Sequence, residues 1–467
     1  MASHRRLAAF MTGLLFAVAP LHARASVAPN VLVVGGTPAG VAAAVSAARN
    51  GADVTLVTRG SVLGGILTDS MMDQWDLNIG PRGNAIQGGL FREIYAALGD
   101  SFTPQAAASV FADLIAREPR ITIRTGLTLE AVDTTASSPN TRRVERVRFT
   151  DTHDHVETIT ACALIDATDN GDLAALAGAR YDLGRQDTGR DERTQAVTLM
   201  FALRGVDWSR LASSYGRHNG PGGATDRRAW GYSATLADYV PLSREVLVRD
   251  LNLGRESTGN VTVNAIDVLG IDGLKRADLA RARSLTEREA PHLIDFLRTR
   301  LPGFENASID RFARSIYVRE TRHFAGLERL RESDVWTGRI PSDAIGLSSY
   351  PMDLHPSTHD EILAYAPVRH VYGVPFGTLV PRGFSNLLLA SPSISATHIA
   401  AGSARVIPTT IEEGEAAGAA SAIALRDHLS FREFVTNPLA FLSLRANLRA
   451  HGVLLPEIAE TIGATRS

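Results

Sequence analysis

Residues 31 to 59 read VLVVGGTPAGVAAAVSAARNGADVTLVTR. An apolar run leads into a glycine-rich turn at Gly35, Gly36 and Gly40. An alanine-rich stretch follows, then Gly51, then a second apolar run. A buried strand, a tight turn, a helix with small residues against a sheet, and a parallel second strand satisfy that order within about thirty residues. Gly51 supplies the helix stop. The pattern commits the chain to the α/β class, with a parallel sheet near its N-terminus.

The turn has the context of a dinucleotide-binding loop and departs from it at one position. Such loops carry glycine at the places held here by Gly35, Thr37 and Gly40. Gly35 makes the tight turn and Gly40 lets helix and strand pack closely. Pro38 and Ala39 open the helix, whose N-terminus favours an anion. Thr37 narrows the approach of a diphosphate, and its hydroxyl can donate to a phosphate oxygen. At the end of the second strand an acid usually binds the adenosine ribose. Thr58 and Arg59 stand there. Thr58 can hydrogen-bond a ribose hydroxyl. Arg59 can stack on adenine or bind a 2′-phosphate, as in NADP enzymes.

Composition removes several chemistries. The chain has 467 residues and a formal net charge of −2, so no global field draws it to nucleic acid or anionic lipid. The single cysteine, Cys162, excludes an internal disulfide, a CxxC redox pair and a cysteine-ligated iron–sulfur cluster. The single lysine, Lys275, lies in GLKRADLARA, an exposed helix start by pattern, which argues against Schiff-base chemistry. Arg5 and Arg6, an apolar run to about Ala19, and Ala23-Arg24-Ala25 have the order of a secretory signal. The expectation is cleavage after Ala25, export to the periplasm or medium, and a twin-arginine route as one option. The apolar run is short for a membrane span, and no later run reaches spanning length, so no stable span is expected after signal removal.

Three further segments narrow the class. They are GSVLGGILTDS (60 to 70), CALIDATDNGDLAALAGARYDLGR (162 to 185) and NLLLASPSISATHIAAGSARVIPTTIEEGEAAGAASAIAL (386 to 425). With GGTPAG they resemble the FAD-dependent oxidoreductase family, whose FAD-binding domain is of the glutathione-reductase (Rossmann) type. YVRETRH and SYPMDLHP are similar to that family's second domain. The resemblance covers about residues 30 to 430. It implies FAD as cofactor and a FAD-binding domain made of 30 to 180 and 370 to 430. It also implies an inserted substrate-side domain from 181 to 369 and a C-terminal helical segment from 431.

The resemblance also assigns residues. Gly35, Gly36, Thr37, Pro38, Ala39 and Gly40 would hold the diphosphate. Gly64, Gly65 and Thr68 match a second FAD contact. Thr58, Arg59 and Leu129 would meet the adenosine, with 121 to 133 as the strand that brings Leu129 there. Ala167, Thr168 and Asp172 follow the strand that returns beside the cofactor. Ser391 stands where an acid often holds the ribityl chain. Gly402 and Arg405 lie where a helix start would face the flavin. For catalysis the candidates are His398 as a proton acceptor near the flavin, and His323 with Arg322. Arg319, Arg322 and Glu320 form either a substrate clamp or an ion-pair network. Tyr350, Asp353 and His355 form a third set. His153 with His155, and His355 with His359, have poor metal-ligand spacing. The expected partners are a small-molecule substrate and an electron acceptor that is oxygen, a quinone or a redox protein. Two other readings stay open: an NADP-dependent enzyme, and a non-catalytic binding protein on the same fold.

Overall fold

The computed structural model describes residues 31–215, 222–361 and 364–456. The proposed export signal lies outside these residues. The sheet announced by the opening motif is parallel and five-stranded. Its strands are β1 (Val31–Val34), β2 (Val54–Thr58), β3 (Ile121–Thr125), β4 (Ala163–Asp166) and β5 (Leu387–Leu389), in the order 3-2-1-4-5. All pairings are parallel, and β1, β4 and β5 are buried throughout, as a sheet covered on both faces requires. The order reverses between β1 and β4. Ligands of open α/β sheets bind in the crevice at that switch point, beyond the carboxyl ends of the strands.

Two helices fix the crevice. Helix α1 (Pro38–Arg49) follows β1, and α2 (Ile407–Arg426) follows β5. Both are rich in Ala and Gly and nearly all buried, so their backbones approach closely. A Cβ added at Gly414 would lie 2.1 Å from the Ala39 carbonyl oxygen, and one at Gly418 would lie 2.2 Å from that of Ala43. Glycine is thus demanded by helix–helix contact, and α2 is locked to the helix that starts the nucleotide loop.

Residues 121 to 133 do not form one strand. The chain leaves the parallel sheet after Thr125, turns at Gly126 with φ of +73°, and enters a separate antiparallel sheet at Thr128. That sheet also holds Thr141–Thr150 and Val156–Ile159, joined by a turn in which Asp154 has positive φ. The exposed His153 and His155 sit in that turn, where Asp151 accepts from both their backbone N–H groups.

A second core lies between residues 197 and 307. A six-stranded antiparallel sheet takes strands from Phe201–Arg204 through Ser308–Phe312, and the long helix Arg276–Arg300 covers it with Leu293, Ile294 and Leu297. The chain then returns through residues 315 to 323, which run past the mouth of the crevice.

Candidate functional site

The glycine turn is built for close approach. Gly35 has φ of +118°, and a Cβ there would sit 2.3 Å from the Ala167 carbonyl oxygen. Thr37 is the N-cap of α1. Its hydroxyl accepts from the Gly40 N–H at 3.1 Å and donates to the Ala167 oxygen at 2.8 Å. The hydroxyl is therefore engaged on both sides, which corrects the expectation that it serves a phosphate. It ties the turn to the end of β4 instead. Asp166, at that end, accepts from the N–H and hydroxyl of Thr168 and from the Ala174 N–H. Burial outweighs these bonds and pushes its carboxyl up to about 7.

Two cavities open off this turn. One, about 680 Å³, is lined by Gly35, Gly36, Thr58, Arg59, Leu129, Thr168, Asp172 and Arg322, among others. The other, about 300 Å³, is lined by Pro38, Ala39, Tyr317, Arg319, Ser391, Arg405, Ile407 and Thr410, among others. Thr37, Arg59, Gly65, Asp69, Asp169 and Asn170 line both. The two cavities adjoin across these residues at the switch point, with the N-termini of α1 and α2 on the wall of the smaller. That arrangement fits a dinucleotide, with one half in each cavity and its diphosphate at the shared residues.

A family model described as FAD dependent oxidoreductase matches residues 30–447. The chain belongs to that family. No curated protein matches the sequence. Among solved structures, a p-nitrophenol 4-monooxygenase from Pseudomonas putida aligns over 94% of this chain and 93% of its own, at 11% identity and a TM-score of 0.43. A flavoprotein/dehydrogenase from Cytophaga hutchinsonii aligns over 85% and 79%, at 12% identity and 0.44. A geranylgeranyl bacteriochlorophyll reductase-like protein from Thermoplasma acidophilum aligns over 90% and 83%, at 12% and 0.41. These similarities carry no argument about substrate.

The sequence candidates for binding FAD divide into three groups. Gly35, Gly36, Thr37, Pro38, Ala39, Thr58, Arg59, Gly65, Leu129, Thr168, Asp172, Ser391 and Arg405 line the cleft. Gly40, Gly64, Thr68 and Ala167 lie behind it and shape it. A Cβ at Gly40 would meet the Gly35 carbonyl oxygen at 1.9 Å, and Gly64 donates to the Gly36 oxygen while Thr68 bonds back to Gly65. Gly402 is away from the cleft lining. It gives room to the Asp353 backbone, 3.0 Å from where its Cβ would be.

In this FAD-dependent oxidoreductase the wall of the smaller cavity is a charged network. Arg405 donates to the Tyr317 hydroxyl at 2.7 Å and to Asp353 Oδ2 at 3.1 Å. Arg319 lies over the Tyr317 ring, 4.7 Å from its centroid, and pairs with Asp267 at 3.2 Å. Behind them His355 bridges two carboxylates, Asp267 at 2.7 Å and Asp353 at 3.5 Å. Burial and the Arg319 charge work against protonation of His355, but the two carboxylates prevail and raise its pKa. Burial alone would raise Asp267, yet His355 and Arg319 hold it at about 2. His355 is thus tied to both aspartates, which favour its protonated form. Tyr350 donates to Asp76 at 3.0 Å on the same side. Tyr317, Asp267 and Asp76 were missed in the sequence. Tyr317 stands in the same YVRETRH segment, two residues before Arg319, and that spacing was the available signal.

His323 and His398 meet, but on a carboxylate rather than in the cleft. Both bond Glu320 Oε1, at 2.7 and 2.6 Å, and Gln195 N–H donates to the other oxygen at 3.0 Å. Neither histidine lines either cavity. Burial would raise the Glu320 carboxyl, and the two imidazoles overcome it and hold it at about 2. Burial would lower His398, and Glu320 and Asp187 raise it. Among the described residues this trio is the one group of three that could hold a metal ion. Ligand atoms about 2.1 Å from a common ion lie about 3 Å or more apart, so separations of 2.6 and 2.7 Å describe hydrogen bonds. Arg322, the third catalytic candidate, pairs with Asp172 at 2.8 Å and stacks on Tyr181 beside the larger cavity. The arginines of this segment are thus an ion-pair network, with Arg319 alone facing the smaller cavity.

Proposed function

We propose that this flavoprotein oxidises or reduces a small organic molecule by hydride transfer between a substrate C–H and the flavin, and that it works as an exported protein. The observation that carries the reading is the lining that the two cavities share at the nucleotide turn. The nucleotide turn and the Tyr317–Arg319–Arg405 wall share one space. Bound FAD supplies a two-electron carrier there. The residues of the chain supply the rest. Gly35 to Gly40 and Gly65 hold the diphosphate region. Ser391, Ile407 and Thr410 bound the other end, where the N-terminus of α2 favours negative charge. Tyr317 accepts from Arg405, and among the described residues its own O–H has no acceptor, so it can donate to a substrate oxygen or nitrogen and orient it. Arg319 and Arg405 are each matched by an aspartate, which favours a polar, uncharged substrate.

The test is anaerobic titration of the yellow protein with neutral alcohols, polyols and amines. Bleaching by one of them, slowed when the donor carbon carries deuterium, supports hydride transfer. A flavin that is bleached by dithionite yet by none of these donors, and reoxidised by no small electrophile, contradicts the reading. Export is tested by fractionation and by N-terminal sequencing, with Ser26 the expected first residue.

A further inference from the structure

We propose that Arg59 is the counter-ion of the cofactor diphosphate, a charge that this variant of the nucleotide loop needs because Thr37 and Pro38 each cost it a backbone donor. Three observations lead there. First, three of the six positions from 35 to 40 offer no N–H, leaving those of Gly36, Thr37 and Ala39. Gly35 N–H goes to the Val57 oxygen at 2.8 Å, Pro38 has none, and Gly40 N–H goes to Thr37 at 3.1 Å. A glycine in place of Thr37 would leave the Gly40 N–H without this partner. Second, Arg59 lines both cavities. A dinucleotide's two halves meet at its diphosphate, so a side chain common to both cavities reaches that group. Third, the other arginines of the cleft are committed. Arg319 pairs with Asp267, Arg322 with Asp172 and Arg405 with Asp353. Among the described residues Arg59 makes no ion pair and no hydrogen bond.

The surrounding charge strengthens the need. Asp69 and Asp169 also line both cavities. Asp69 is matched by Arg314 at 2.7 Å. Asp169 has no such partner among the described residues, and burial and Asp172 push its carboxyl up to about 6. A diphosphate entering this junction meets one carboxylate without a counter-ion. Arg59 offers the fork geometry that binds two phosphate oxygens together. This role is distinct from stacking on adenine and from reading a 2′-phosphate.

The experiment is a binding series on the protein stripped of cofactor, comparing wild type with Arg59→Ala and Arg59→Lys. The probes are FAD, ADP, AMP, adenosine and adenosine 2′,5′-bisphosphate, followed by calorimetry at low and high salt. Arg59→Ala is expected to weaken FAD and ADP by about 10- to 100-fold, the range of a charge-assisted hydrogen-bond pair. It should leave adenosine unchanged, narrow the ADP-over-AMP advantage and flatten the salt dependence. Arg59→Lys should restore part of the loss. Equal weakening of adenosine and ADP would overturn the proposal in favour of adenine stacking. A wild-type preference for the 2′,5′-bisphosphate that disappears in Arg59→Ala would overturn it in favour of a 2′-phosphate site. Unchanged FAD affinity would overturn it outright. Far-UV circular dichroism checks that the exposed substitution leaves the fold intact.

Discussion

Glu320→Gln is the most informative single change in the protein. The carboxylate is 4% exposed and takes three hydrogen bonds, from His323, His398 and the Gln195 backbone. Its pKa is held at about 2 against an ordinary 4.5. A shift of that size corresponds to about 3 kcal/mol of native-state stabilisation. A glutamine keeps the shape but must aim an NH₂ at one of three donors, so one contact turns repulsive. The expected loss is about 3–5 kcal/mol, as for a broken buried ion pair. The sign with pH follows from the two directions. Glu320 is depressed, so its contribution is complete above pH 4.5 and is lost as pH falls towards about 2. His398 is raised, so its contribution is complete below pH 6.5 and is lost as pH climbs through the raised value. The stability gap between wild type and variant should therefore be widest between pH 4.5 and 6.5. Denaturant midpoints measured from pH 3 to 9 provide the assay. A variant within about 0.5 kcal/mol of wild type at every pH, the range of an ordinary surface substitution, would refute the triad as a structural element. So would a gap that widens above pH 8.

Three other outcomes are expected. Gly414→Val drives a side chain into the Ala39 carbonyl oxygen, so it should cost about 3 kcal/mol or more and release FAD, read by thermal melting and flavin fluorescence. Thr37→Ala removes the α1 cap and the bond to Ala167, and should lower stability by about 1–2 kcal/mol in denaturant titrations while FAD stays bound. Arg405→Gln leaves Asp353 with less charge compensation and removes the donor that holds the Tyr317 oxygen in place. It should alter the flavin spectrum and slow substrate bleaching at least tenfold, without loss of the FAD dissociated by heat.

What the sequence revealed and what it hid have separate physical causes. The βαβ unit was legible because buried strands, tight turns and close-packed helices each demand particular residue types over short spans. Gly35, Gly40, Gly414 and Gly418 are forced by backbone contacts, and such contacts leave a mark at single positions. The break at Gly126 was not seen, because a strand that changes sheets keeps its apolar alternation on both sides of the turn. Thr37 was read for chemistry, whereas its hydroxyl closes a local cap, a bond that only the 130-residue separation from Ala167 completes. His398 and His323 were noticed as residue types. Their meeting on Glu320 depends on tertiary packing that no spacing encodes. Asp267, from the second core, and Gln195, just before it in the chain, entered the site for the same reason. Tyr317 is the exception, since its two-residue spacing from Arg319 was on the page.

The measurement that bears most directly on the central claim is the absorbance spectrum of the purified protein, followed by heat release and identification of the cofactor. Flavin bands, with one FAD per chain recovered in the supernatant, are the expected result of the shared cleft and the family to which the chain belongs. A colourless protein that takes up no FAD on reconstitution would contradict it.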